Sequence, residues 1–154
     1  MSEIDKALSL KGDTNIIIAI NEFVWKKSND LENIDNLTKS EKTFLYVEIL
    51  ESEINNGGFD QFFYNSSGDY AYEALQALNE IGAKKTANLI NEAYIIFPKN
   101  PIPKQAESRQ ILLEKISKET SERWNELEDM FYIQDENIEK LLLEYVRKNK
   151  LDFK

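Results

Sequence analysis

The sequence predicts an all-α fold: a single compact helical domain over residues 1–154, with about 7–8 helices joined by short loops. Three observations predict it. Hydrophobic residues make up 42% of the chain and aromatics 11%, enough for a sizeable core in 154 residues. Gly occurs 5 times and Pro 3 times, too few for the many tight turns of a sandwich or barrel. Apolar residues recur at helical spacing through most of the chain.

The first strong helical pattern runs from Thr14 to Lys27, with Asp13 as its expected N-cap and Ile16, Ile20, Phe23 and Val24 on one face. The β-branched run Ile16-Ile17-Ile18 makes a short strand the rival reading. Residues 28–36 are polar and read as a loop. Thr38 followed by Glu41 forms a capping box, which opens a helix to Asn55. Asn56-Gly57-Gly58 is expected to stop that helix, because Gly takes a left-handed conformation without steric cost. Phe59, Phe62 and Phe63 then define a short buried helix to Tyr64, and residues 65–68 a turn. Asp69 or Ser67 is expected to cap the next helix, to Ile81, with Ala71, Ala74, Leu75 and Leu78 inward. Gly82 interrupts before a helix from Ala83 to Phe97, whose Ala87, Ile90, Ala93 and Phe97 share a face. Pro98 to Pro103 breaks the pattern. The remaining helices are expected over Lys104–Ser117, Glu122–Tyr132 and Glu136–Lys148. Glu136–Lys140 and Glu144–Lys148 are expected i, i+4 ion pairs on the last of these.

The chain contains no Cys and no His. That excludes a disulfide framework, a Ser-His-Asp triad, a Cys nucleophile, a thiolate zinc site and a His-ligated di-iron centre. No Walker-type loop is present, and Gly57-Gly58 follows a helix rather than a strand, a poor phosphate cradle. Residues 1–11 are charged and lack the apolar core of a signal peptide, and the apolar run Ile16–Ile20 is too short to cross a bilayer. A cytoplasmic, bacterial-type protein is the simplest expectation. The net charge of −9 and pI near 4.7 oppose direct binding to nucleic acid or anionic lipid and favour a basic protein partner.

The acidic charge is concentrated. Residues 28–80 carry 11 acidic and 2 basic side chains, and residues 107–144 carry 11 and 5, so two acidic faces are expected there. Glu41, Glu48 and Glu51 fall roughly on one helix face. Glu119, Glu122, Glu126 and Asp129 follow i, i+3, i+7 and i+10, a stripe about 15 Å long if helical. Paired carboxylates such as Glu48, Glu51 and Glu53 serve glycoside hydrolysis or Mg²⁺ binding elsewhere. With 28 acidic residues such pairs arise by chance, and a solvated face is the simpler reading. No catalytic, cofactor-binding or metal-binding residue is assigned, and no cofactor is expected.

The segment Asn55-Asn56-Gly57-Gly58-Phe59-Asp60-Gln61-Phe62-Phe63-Tyr64-Asn65 resembles the signature of an all-helical bacterial family named after a DNA-mimic protein and first catalogued as a domain of unknown function. Residues 74–83 and 124–145 are similar to it as well, so the likeness covers roughly residues 38–150. The resemblance implies an all-helical fold and, for the namesake, an acidic dimer that occupies the DNA-binding surface of a transcription factor. It implies no catalytic residues. Read for structure, Gly57 and Gly58 turn the chain, Phe59, Phe62 and Phe63 anchor it, and Asn55, Gln61 and Asn65 satisfy buried backbone groups. Read for function, the Asn/Gln cluster lines a small polar pocket.

The leading expectation is a non-enzymatic acidic interaction domain, with DNA mimicry toward a basic DNA-binding protein as its sharper form. An immunity-type protein neutralising a toxin and a carboxylate-based enzyme are the alternatives.

Overall fold

A computed structural model describes residues 1–154, and every regular element in it is helical. The eight α-helices are α1 (Glu3–Leu8), α2 (Asp13–Lys27), α3 (Lys39–Tyr64), α4 (Ala71–Glu80), α5 (Lys84–Ile95), α6 (Ala106–Glu114), α7 (Lys118–Ile133) and α8 (Ile138–Lys148). Short 3₁₀ turns occupy Ile34–Asn36, Ser66–Tyr70 and Lys150–Asp152. The isoleucine run is helical, with Ile16, Ile17 and Ile20 buried. Gly12 rather than Asp13 stands at the N-cap of α2, and α1 is an element the sequence pattern did not announce.

Helix α3 is the axis of the molecule and packs against α2, α4, α6, α7 and α8. The capping box forms as expected. The Glu41 amide donates to Thr38 Oγ1 at 3.2 Å, and the Thr38 amide donates to Glu41 Oε1 at 2.8 Å. Helices α5 and α7 run antiparallel, since Gln134 Nε2 reaches Thr86 Oγ1 and Trp124 Nε1 reaches the Ala93 carbonyl. Buried apolar side chains form one continuous cluster. Its aromatic centre is Phe63, whose ring lies 4.8 Å from Phe97 and 5.2 Å from Trp124.

Several boundaries differ from the sequence pattern, some through local caps and some because a distant partner intervenes. Helix α3 spans two helical segments that meet at a break at Gly58, with φ 75° and ψ −168°. Asn56-Gly57-Gly58 thus interrupts it as expected, and the first segment runs only slightly past Asn55. Neither Ser67 nor Asp69 caps α4: the Ser67 hydroxyl donates to the Phe62 carbonyl, and Asp69 pairs with Arg109. Ser117 caps α7, which therefore starts at Lys118 and takes in Glu119. Asn137 caps α8, leaving Glu136 outside it. The Glu136 carboxylate instead accepts from the Lys85 and Thr86 amides and the Thr86 hydroxyl, closing the open N-terminus of α5. The expected Glu136–Lys140 and Glu144–Lys148 pairs do not form within 4.0 Å.

Candidate interaction surface

The Gly-rich segment is a kink with no loop. Gly58 holds a left-handed φ, and a Cβ there would lie 2.4 Å from Glu128 Oε2. That closeness has a purpose, because Glu128 Oε2 accepts from the Phe59 amide at 2.9 Å and caps the second half of α3 from another helix. Tyr132, one turn along α7, donates its hydroxyl to the Ile54 carbonyl at 2.8 Å. Thus α7 closes hydrogen bonds on both sides of the break. Phe59, Phe62 and Phe63 are fully buried, as anchors should be.

The amide side chains do something other than serve backbone groups. Gln61 Nε2 donates to Glu53 at 2.7 Å, Asn65 Nδ2 donates to Glu53 at 3.2 Å, and Asn56 Nδ2 donates to Gln61 at 3.3 Å. Asn55 is exposed and makes no side-chain hydrogen bond within the protein. The backbone carbonyls at the end of α3 fall to Arg109, a residue no motif pointed to. Its fully buried guanidinium donates to Phe63 O (2.8 Å), Asn65 O (2.9 Å), Pro103 O (3.0 Å), Lys104 O and Asp69 Oδ1 (2.7 Å). A cation at a helix C-terminus also meets the negative end of the helix dipole. The overlooked signal was register. Arg109 lies four residues before the buried Leu113, and Glu128 lies between the buried Trp124 and Phe131, so both occupy inward positions.

Of the two expected acidic faces, only one is a free surface. Glu41 is fully buried and has no place on it. Its carboxylate closes the capping box, accepts Lys27 Nζ at 2.8 Å and accepts the Lys154 amide at 3.2 Å. Glu48 and Glu51 are half-buried. Burial, then repulsion from Glu139, raises Glu48 to about 7; burial, then repulsion from Glu48 and Glu139, raises Glu51 to about 8. They open in different directions. Glu48 faces a depression with Asn21 and Trp25 of α2, and Glu51 faces one formed with the start of α8. No group of three or more acidic side chains gathers closely enough to hold a metal ion.

The second face survives intact. Glu119, Glu122, Glu126 and Asp129 are all exposed on α7, one per turn. Two carry partial counter-charges: Lys118 lies 3.7 Å from Glu122, and Arg123 lies 2.7 Å from Glu126 while also reaching Glu92 at 2.9 Å. Glu119 and Asp129 have no basic partner within 4.0 Å. Buried Trp124, Leu127 and Phe131 hold the opposite side of the helix. The arrangement therefore presents a row of carboxylates along one face of α7. It is suited to meeting cations across an interface.

No helix is long and apolar enough to cross a membrane. A family model described as DMP19-like protein matches residues 35–149. No curated protein and no solved structure matches the chain.

Proposed function

We propose that this chain, which belongs to the DMP19-like protein family, is a non-enzymatic interaction domain that binds a basic protein through the exposed face of α7. The observation that carries the reading is the row Glu119, Glu122, Glu126 and Asp129, four exposed carboxylates held at one per turn on a helix whose other side is locked into the core. The sharper form is sequestration of a basic DNA-binding protein in the cytoplasm by imitation of DNA charge.

The geometry limits that imitation. Carboxylates one turn apart are separated by about 5.4 Å along the helix, against about 3.4 Å per phosphate along one DNA strand. A second stripe would be needed to match the density, and burial of Glu41 with partial burial of Glu48 and Glu51 removes it. The partner expected is therefore one that offers Lys or Arg at helical spacing. The test is a pull-down from a bacterial lysate with wild-type bait and with a Glu119→Gln, Glu122→Gln, Glu126→Gln, Asp129→Asn bait. A basic protein retained at low salt, released at high salt and absent with the variant supports the reading. Equal capture by both baits sinks it.

A further inference from the structure

We propose that the groove between α5 and α7 is the docking site for a basic amphipathic helix of a partner protein. The proposal rests on the reading of the α7 carboxylates above and adds the apolar half of the contact. Because the two helices run antiparallel, their outer faces leave a channel floored by Leu89, Met130 and Ile133. Ile133 is 82% exposed and Met130 44%, although both project from a helix with a full apolar side of its own. Isolated exposed apolar residues are ordinary, whereas these three gather in one concave channel.

The channel and the acidic row share one line. At 100° per residue, Glu119, Glu122, Glu126, Asp129, Met130 and Ile133 fall within an arc of about 100° on α7. From Glu119 to Ile133 the row spans about 21 Å, the length of a helix of about 14 residues. A complementary helix would set two or three apolar side chains at i, i+3 and i+4 over Leu89, Met130 and Ile133. It would then carry Lys or Arg at one-turn spacing over the carboxylates. Glu119 and Asp129, which have no basic partner in the chain, are the free anchors, while Arg123 competes for Glu126. Charge also opposes a second copy as the occupant, since two such faces would bring like rows together.

The experiment uses the full chain and a fluorescent synthetic helix of about 18 residues, with Leu along one face and Lys elsewhere, and a control with Glu in place of Lys. Fluorescence anisotropy at low salt is expected to show saturable one-to-one binding of the Lys peptide and none of the Glu peptide. The pair Met130→Ser and Ile133→Ser is expected to weaken binding at least about tenfold. The pair Glu119→Gln and Asp129→Asn is expected to weaken it several-fold and flatten its salt dependence. These four positions are exposed, so the thermal midpoints of the variants should match wild type. Affinity unchanged by the serine pair overturns the groove and leaves the acidic-face reading standing. Loss with the serine pair, but none with the charge pair or with salt, overturns the acidic-face reading and with it the basic partner. Absence of saturable binding by the Lys peptide overturns the proposal, as does a dimer that the serine pair dissociates.

Discussion

Arg109 is the side chain on which the middle of the fold turns. A fully buried guanidinium is tolerated because it makes five hydrogen bonds, four to backbone carbonyls and one to the Asp69 carboxylate. Arg109→Leu removes the donor from the Phe63, Pro103 and Lys104 carbonyls and the cation from Asp69, and should cost about 3–5 kcal/mol in urea unfolding. Arg109→Lys keeps the charge without the planar fork and should recover only part of that; recovery to wild-type stability would contradict the staple. Gly58 is the second such position. Gly58→Ala forces a Cβ into a left-handed φ and against Glu128, so it should lose about 1–3 kcal/mol. Adding Glu128→Ala should cost less in that background than alone, a non-additivity a double-mutant cycle would measure. The glycine kink and the three phenylalanines were legible in the sequence because turn preference and apolar spacing are local properties. Arg109 and Glu128 were not, since their partners lie 40–46 and 69 residues away in the chain for the key contacts.

At the scale of elements, α3 carries a cost that varies with pH. Glu51 and Glu48 hold their protons more tightly folded than unfolded, because burial disfavours the carboxylates. The folded chain therefore binds more protons between the unfolded value, about 4.5, and the folded values of about 7 and 8. Stability from this source is full below about pH 4.5 and declines as pH rises toward about 8. Glu51→Gln should raise stability at pH 8.5 by about 1–3 kcal/mol and flatten the pH profile of the urea midpoint. A profile parallel to wild type would refute the assignment. Helix interiors were legible from apolar spacing, and the Thr38–Glu41 box from its four-residue signature. Ends were less so. Helix α8 starts at Ile138 behind its Asn137 cap, and Glu136, left outside, reaches the amides at the start of α5, a contact no window of sequence displays.

For the whole molecule, a net charge of −9 on 154 residues means self-repulsion in the folded state. Raising NaCl from about 0.05 to 0.5 M, where the Debye length shrinks to a few ångströms, should raise Tm by a few degrees. The same change should weaken capture of a basic partner. Opposite responses of stability and binding would show that the acidic surface is kept at some expense to the fold. A fall in Tm would mean that the ten surface and buried ion pairs outweigh the repulsion. Helix α7 joins the two roles, since one side clamps the kink through Glu128 and Tyr132 while the other presents the carboxylate row.

The sequence by itself determined that the chain is helical, that its aromatics form a core, that His- and Cys-based chemistry is impossible, and that acidic charge gathers in two stretches. Periodicity, capping and composition act within a few residues or over the sum of all residues, so they can be read without a fold. Only the tertiary structure decided which carboxylates remain available. Glu41 and Glu119 both fall on expected acidic faces, yet Lys27 and the C-terminal turn cover the first, while nothing in the chain crosses the second. Whether a polar group is buried depends on elements brought beside it from far along the chain, and that information arises only when the helices pack.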